Sequence, residues 1–228
     1  MPLSPNRTEI RAVVFDSYGT LFDLSSVVEL CGEIFSAAGV ELFLMWRRKQ
    51  LHYSWLLSLM DRYEDFWQVT DRALRFAVKA LDLTLDDNDR IELMDSYLKL
   101  EHFPDVGQAL HDLSSFQLAI LSNGTPKMLE TVVERNGLSH AFDAVISAHS
   151  ARAYKPSPKV YLLAEEKLGI IPSHTLFVSC QSFDISGAKA YGFRTCWVNR
   201  TGSEWDNIGY LPDMTVGDMR ELVEVLRV

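Results

Sequence analysis

Apolar residues are arranged along this chain in two patterns that alternate. Short apolar runs closed by turn-forming residues are typical of strands buried in a parallel sheet. They predict strands at Arg11–Asp16, Phe116–Leu121, Phe142–Ser147, Thr175–Ser179 and Arg194–Val198, the last strand of the chain. Apolar residues three and four positions apart predict helices at 126–135, 158–168, 182–191 and about 216–226. This repeated order predicts an α/β fold, a Rossmann-like parallel sheet with right-handed crossovers and helices on both faces.

The segment from residue 24 to residue 100 shows only the helical pattern. Aspartates at 82, 86, 87 and 89 are expected to end one helix and to begin the next. We therefore predict a helical cap of residues 24–100, inserted after the first strand of a catalytic core made of residues 10–23 and 101–228. Residues 1–10, which are polar and contain two prolines, are predicted to form a loose arm.

Composition narrows the class of protein. With 228 residues, 47% hydrophobic and 23% charged, the chain is expected to be globular. Its net charge of −9 argues against general binding to nucleic acid or to anionic membranes, because both select basic surfaces. No apolar run approaches the roughly 20 residues that span a bilayer, and residues 1–7 lack the apolar core of a signal peptide, so a cytoplasmic location is expected. The three cysteines suit neither a disulfide framework nor a zinc site, and Cys31 and Cys196 are expected to be buried.

Asp16 follows the first predicted strand and precedes a turn that contains Gly19. Ligands of open α/β folds collect beyond the carboxyl ends of parallel strands, so Asp16 is a candidate nucleophile. The alternative is that Asp16 only caps the turn, as aspartate often does.

Three other segments with polar residues also lie at predicted strand ends. Ser122, Asn123 and Gly124 precede a helix, where a hydroxyl, an amide and backbone N–H groups could surround an anion. Lys155 lies before a proline at the start of a helix, although a lone lysine is more often a solvated surface charge. Asp184 follows the fourth predicted strand and could be only a favourable charge in the first turn of a helix.

These four segments resemble the four motifs of the haloacid dehalogenase superfamily. The motifs are, in this order, an acidic residue, a Ser or Thr, a lysine and an acidic loop. The first motif, Asp16-Ser17-Tyr18-Gly19-Thr20-Leu21, has Tyr18 where phosphatases of that superfamily have a second aspartate, which protonates a leaving alkoxide. A halide needs no such proton. Residues 46–56 also resemble the W-R-x-K-Q-L-x-Y-x-W-L stretch of the L-2-haloacid dehalogenases. Four aromatic residues are expected to pack inside the cap: Tyr53, Trp55, Phe66 and Trp67.

This resemblance implies roles for the first reaction step. Asp16 would attack the α-carbon of a short (S)-2-haloalkanoic acid with inversion and form an ester, while Lys155 keeps its carboxylate ionised. Ser122 and the backbone amides of Ser17 and Tyr18 would receive the substrate carboxylate. The departing halide would be held by three side chains, those of Arg47, Asn123 and Phe183. The alternative for Arg47 is that it lies on an exposed basic helix face.

The second step would be hydrolysis of the ester to an (R)-2-hydroxy acid. Asp184 is the candidate for activating the water, with a surrounding network formed by Thr20, Tyr161 and Ser179. No metal or other cofactor is expected, because there is no phosphoryl group to neutralise and Tyr18 replaces an acidic residue. Gln181, a substrate-binding candidate, replaces the asparagine usual in the family, and its extra methylene could displace a hydrogen bond by about an ångström. Cys180 and Ala148 also depart from the family pattern.

Several alternatives remain open at this point. One is a phosphatase of the same superfamily, and another is a hydrolase that opens a strained small ring by the same aspartyl ester route. A third is a protein with low activity or none, which keeps the fold and only binds. The expected partner is a small haloacid, and the resemblance implies a homodimer.

Overall fold

The computed structural model describes residues 10–227 and contains one parallel sheet. Within these residues six strands are present: β1 (Ala12–Phe15), β2 (Gln117–Ser122), β3 (Ala144–Ser147), β4 (Thr175–Ser179), β5 (Arg194–Val198) and β6 (Met214–Val216). The strand order is β3-β2-β1-β4-β5-β6, and every neighbouring pair is parallel. The predicted α/β fold with a parallel sheet is therefore confirmed.

Five α-helices of the described chain lie between β1 and β2, and the first four lie in the segment predicted to be a cap. These four are α1 (Ser25–Phe35), α2 (Gly39–Leu59), α3 (Phe66–Ala80) and α4 (Asp87–Ser96). The other helices of the described chain accompany the strands: α5 (Val106–Asp112), α6 (Pro126–Arg135), α7 (Pro158–Leu168), α8 (Ser182–Tyr191) and α9 (Met219–Arg227). The division into a core and a cap stays a prediction.

Side-chain caps explain where several of these helices begin. Asp65 accepts a hydrogen bond from the backbone N–H of Gln68 at the start of α3, and Asp86 accepts two at the start of α4. Such caps satisfy N–H groups that have no partner inside the helix, and each is worth about 1 kcal/mol. The acidic run at 86–89 thus begins a helix, as the sequence predicts.

The sheet places the residues after β1, β2 and β4 side by side. β1 pairs with both β2 and β4, with Phe15 opposite Ile120 on one side and Val178 on the other. All residues of β1 and β4 are buried. Because these strands are parallel and in this register, Asp16, Ser122 and Ser179 lie at the same edge of the sheet, where the strand order reverses.

Three details differ from the sequence prediction. Ile10, assigned to a loose arm, is only 4% exposed and packs in the main hydrophobic core, while residues 1–9 of that arm lie outside the described residues. Arg194–Val198 is not the last strand, since the three-residue β6 pairs with it at the sheet edge. Helix α5 has no counterpart among the predicted helices. Both missed elements are short, so their periodicity is weak.

Two further expectations concern burial and membrane crossing. Cys31 and Cys196 are fully buried, as predicted, and both are free thiols. Between residues 10 and 227 no helix combines the length and the apolar character that crossing a bilayer requires.

Candidate active site

Lys155 lies between two carboxylates at the carboxyl edge of the sheet. Its Nζ is 3.0 Å from Oδ1 of Asp16 and 2.8 Å from Oδ2 of Asp184. Asp16 is 8% exposed, and the other two residues are 1% exposed. Three predicted site residues that are far apart in sequence therefore form one buried charge cluster. Lys155 is not the solvated surface charge of the alternative interpretation.

Burial and charge act against each other in this cluster. Burial lowers the pKa of the Lys155 ammonium, but the two carboxylates raise it further, so the net pKa is raised and the lysine is charged. Burial raises the pKa of the Asp184 carboxyl to about 6, the nearby Asp16 charge adds to this effect, and Lys155 opposes it. Because it is buried and lies near a second carboxylate, Asp184 titrates closer to neutral pH than an ordinary aspartate.

The turn after β1 fixes the second oxygen of Asp16. Thr20 donates its hydroxyl proton to Oδ2 of Asp16 at 3.3 Å and accepts from the backbone N–H of Cys180 at 2.9 Å. Gly19 has φ +85°, a conformation that favours glycine, and a Cβ there would lie 3.0 Å from Sγ of Cys180. The tight turn thus joins the ends of β1 and β4 around the carboxylate.

Tyr161 on α7 holds Asp184 from the other side. Its hydroxyl is 2.8 Å from Oδ1 of Asp184, whose Oδ2 binds Lys155. Gly187, one turn further along α8, allows this approach, because a Cβ there would lie 2.5 Å from the Tyr161 hydroxyl. Both oxygens of Asp184 therefore have fixed partners, as expected for a group that must keep one orientation.

Ser122 and Asn123 form the next part of the site, after β2. Ser122 Oγ accepts from the N–H of Gly124 at 3.2 Å. Asn123 Oδ1 accepts from the backbone N–H of Lys155 at 2.9 Å, so its amide nitrogen is the end left to donate to a ligand. Ser17, directly after Asp16, has a buried hydroxyl with no hydrogen-bond partner in the described structure. Ser17, Ser122 and Asn123 thus add donor groups at the edge of the sheet where Asp16 lies.

The Tyr18 side chain is buried over Gly124 and is 3% exposed. Its hydroxyl has no hydrogen-bond partner among residues 10–227. Burial raises the pKa of this phenol above its ordinary value, and the charge of Asp16 adds to the increase while Arg47 opposes it. A phenol in this state is a poor proton donor to a leaving group.

Arg47 on α2 extends toward these loops. Burial raises the pKa values of Tyr18 and Cys180, and the positive charge of Arg47 opposes both increases. The guanidinium is therefore close enough to act on the residues that follow β1 and β4. Its Nη1 donates to Oε1 of Gln50. Arg47 is half-buried, whereas Arg48 is exposed. Arg47 therefore does not belong to an exposed basic face.

Phe183 lies where α8 meets the helices that follow β1. Its ring packs edge to face on Trp55 at 5.1 Å. Both rings line a largely apolar groove of about 640 Å³, which also contacts Tyr154 and Pro156. Trp55 was expected to pack inside the cap, but its indole N–H reaches the backbone oxygen of Lys155 at 3.1 Å. The tryptophan thus contacts the backbone of Lys155.

Gln181 forms hydrogen bonds with Ser179 and Cys180 in the loop after β4. Gln181 Nε2 donates to Sγ of Cys180 at 3.1 Å, and its backbone N–H donates to Ser179 Oγ at the same distance. Ser179 is fully buried. The structure thus turns the Gln181 amide onto Cys180, the other residue at which this loop departs from the family pattern.

Sequence reasoning missed the polar residues behind the site. Gln50 and Thr70 are fully buried, and they connect Arg47 to α3. Gln50 could have been found from its position, because it lies three residues after Arg47 on one helix face. Arg200 binds both oxygens of Asp105 at 3.0 and 2.9 Å and donates to the backbone oxygen of Thr20. No sequence signal singles out this pair.

The arrangement suits a two-step reaction through a covalent carboxylate. Asp16 is oriented by hydrogen bonds from Lys155 and Thr20, and Asp184 is a nearby carboxylate with a pKa raised to about 6. In the part of the chain that is described, no group of three or more His, Cys, Asp or Glu side chains is placed to hold a metal ion.

Comparison with known proteins adds independent information. A family model described as haloacid dehalogenase-like hydrolase matches residues 10–192. The chain is 46% identical over 218 residues to an (S)-2-haloacid dehalogenase from Pseudomonas sp. strain YL, covering 95% of this chain and 94% of that protein. It is 42% identical over 222 residues to haloacetate dehalogenase H-2 from Moraxella sp. strain B, covering 96% and 99%.

A solved structure agrees with this comparison. The L-2-haloacid dehalogenase from Xanthobacter autotrophicus, with chloropropionic acid covalently bound, superimposes with a TM-score of 0.90 at 38% identity. The match covers 96% of this chain and 98% of that one.

Proposed function

Because this chain belongs to the haloacid dehalogenase-like hydrolases, we propose that it hydrolyses short (S)-2-haloalkanoic acids to (R)-2-hydroxyalkanoic acids. The chain is a hydrolase of carbon–halide bonds. The family model and the (S)-2-haloacid dehalogenases that are 46% identical to this chain confirm the resemblance seen in its sequence. The observation that carries the choice of reaction is Tyr18, a buried phenol with a raised pKa where a phosphatase would need a proton donor. A leaving group that needs no proton fits this position.

In the first step, an Asp16 carboxylate oxygen attacks C2 of the haloacid while the carbon–halogen bond breaks. The attack proceeds in line, so C2 is inverted and an ester of Asp16 forms. Lys155 holds the Asp16 carboxylate in place before the attack, at an Nζ to Oδ1 distance of 3.0 Å. Arg47, the Asn123 amide and the Phe183 ring hold the departing halide, a developing anion stabilised by donors that are already in place.

In the second step, water attacks the carbonyl carbon of the Asp16 ester. Asp184 accepts one water proton, the bond between the carbonyl carbon and the product oxygen breaks, and Asp184 returns this proton to the leaving alkoxide. The second water proton is released to solvent as the Asp16 carboxylate is regenerated. The C2–O bond is untouched, so the inversion of the first step is kept in the 2-hydroxy acid. Each proton and electron pair is carried by the residues of the site, by the substrate or by water, and no metal is used.

The carboxylate of the substrate requires a separate binding site. Ser122 Oγ already accepts from Gly124, so its own proton is available to donate. The Ser122 hydroxyl, together with the backbone amides of Ser17 and Tyr18, is proposed to bind this carboxylate. Holding it there directs C2 toward Asp16.

Halide release from the two enantiomers of 2-chloropropionate tests the function. With chelator present and no added metal, we expect chloride release from the (S) form and none from the (R) form, because in-line attack requires one face of C2. Absence of release from both, with the protein folded, would disprove the function. Phosphate ester hydrolysis restored by magnesium would then indicate the phosphatase alternative.

A pH profile tests the role of Asp184. Its pKa lies at about 6 instead of the ordinary 3.8, so the base form is lost at a higher pH than for a normal aspartate. We expect kcat to fall as the pH drops through about 6 or slightly below, because Asp184 is then protonated and cannot accept a proton. The midpoint lies slightly below 6 because Asp16, once it is an ester, no longer has the negative charge that contributes to the raised pKa of Asp184. A kcat that stays constant down to about pH 4.5, in protein shown to be folded, would contradict this role.

Two properties of the assembly remain proposals. Association into a homodimer is supported by large apolar residues exposed on α2, among them Leu44 at 55% and Leu59 at 83%. The mass of the particle in solution tests it. A cytoplasmic location stays a prediction.

A further inference from the structure

A polar connection is buried between helices α2 and α3, behind Arg47. Gln50 and Thr70 are both fully buried, although each carries a polar side chain. Burying such groups costs free energy unless their hydrogen bonds are made. Here they are made to each other and to Arg47, so the connection is built and specific.

Counting protons assigns the direction of every bond in this connection. The Thr70 hydroxyl donates its single proton to the backbone oxygen of Phe66 at 2.6 Å. It must therefore accept at its contact with Gln50 Nε2, also 2.6 Å long. This orients the Gln50 amide, because the nitrogen faces Thr70 and only the oxygen, Oε1, can face Nη1 of Arg47.

The backbone of the same turn is held as well. The indole N–H of Trp46, the residue before Arg47, donates to the backbone oxygen of Thr70 at 2.8 Å. Trp46 is fully buried, and its ring packs edge to face on Tyr97 at 5.2 Å. Two hydrogen bonds from α2 thus converge on one residue of α3.

We propose that Gln50, held by Thr70, is a positioning residue that aims the guanidinium of Arg47 at the leaving halide. The inference rests on the proposed function, because it assigns a task to Arg47 in that reaction. A neutral acceptor orients Arg47 without cancelling its positive charge, whereas a carboxylate would form an ion pair and weaken its attraction for the halide. Nη1 is bound, and the remaining donors of the guanidinium are left for the site.

The test compares leaving groups in Gln50→Leu and Thr70→Val. Stabilising the halide matters more for chloride than for bromide, which leaves more easily. For Gln50→Leu we expect kcat/KM for (S)-2-chloropropionate to fall roughly 10- to 100-fold, as for a group displaced by about an ångström, and that for (S)-2-bromopropionate to fall several-fold less. KM should change less, because the substrate carboxylate is bound elsewhere. Thr70→Val frees the Gln50 amide to turn. It should also lower kcat/KM more for the chloro substrate than for the bromo substrate, but both losses should be smaller than in Gln50→Leu.

Ser54→Ala is the matched control. Ser54 is buried one turn after Gln50 on α2, but its hydroxyl donates to Leu51 O and does not touch Arg47. We expect no change in the chloride to bromide ratio. In an Arg47→Ala background, Gln50→Leu should add no further loss, since the two residues act as one unit.

The possible outcomes are distinct. An unchanged kcat/KM, or an equal loss for both leaving groups, in Gln50→Leu and Thr70→Val would overturn the inference while wild-type dehalogenation keeps the proposed function. Absence of halide release by the wild type would overturn both. If Gln50→Leu does not fold, the ratio measured for Thr70→Val decides.

Discussion

Asp16→Asn will abolish chloride release from (S)-2-chloropropionate, with an expected loss of at least about 10⁴-fold, the scale seen when a catalytic nucleophile is removed. The carboxamide has the size of the carboxylate but its oxygen is a weak nucleophile. The fold should persist, because Lys155 keeps its second carboxylate, Asp184, at 2.8 Å. Release assays and the intact mass of protein quenched during turnover are the measurements.

Asp184→Asn is the matched control for this variant. It also removes one carboxylate from Lys155, but on the side that is proposed to serve hydrolysis. We expect this variant to accumulate the substrate, less its halide, on the peptide that contains Asp16, whereas Asp16→Asn should carry no adduct. Turnover by Asp16→Asn, or an adduct on another residue, would contradict the assignment of the nucleophile.

Lys155→Met should destabilise the protein by about 3–5 kcal/mol at pH 7.5, the cost of breaking a buried ion pair from one side. Asp16 and Asp184 would then be two buried carboxylates without a cation. Loss of the ammonium would raise the folded pKa of Asp184 further, and a raised folded pKa means that stability is retained at low pH and lost as the pH increases. The deficit measured by urea unfolding should therefore shrink between about pH 7.5 and pH 5.

Lys159→Met provides the comparison for this experiment. Lys159 lies in the first turn of α7, four residues after Lys155, but it is exposed. Its replacement should change the free energy of unfolding by less than about 0.5 kcal/mol at either pH. A similar small effect for Lys155→Met, or a deficit that grows as the pH falls, would contradict the charge cluster.

The central chemistry could be predicted from the sequence because strand order constrains it. Once Asp16, Ser122 and Ser179 are placed at the ends of parallel strands, the sheet brings them together without further information. The motifs then add Lys155, whose contact with Asp16 spans 139 positions in the chain. The motifs give the residue type at each strand end, and the parallel register determines which of these residues lie side by side.

Other features depend on contacts that no local pattern records. The Arg200–Asp105 pair joins the loop after β5 to the segment before α5, and Asp105 also accepts from the N–H of Met219 at the start of α9. From the sequence, Gln181 was expected to act as an asparagine with one more methylene. In the structure its amide nitrogen donates to Sγ of the neighbouring Cys180 at 3.1 Å. Such choices depend on which partner is nearest in space.

The contacts that Trp55 and Ser58 make also have a mechanical meaning. The indole N–H of Trp55 is 3.1 Å from the backbone oxygen of Lys155, and Ser58 Oγ accepts from the N–H of Tyr154 at 2.9 Å. Tyr154 in turn donates to the backbone oxygen of Glu64. Any displacement of α2 away from the sheet would break these bonds to Lys155 and to the residue before it. The contacts that hold α2 against the sheet therefore also hold the backbone from which the Lys155 ammonium group extends.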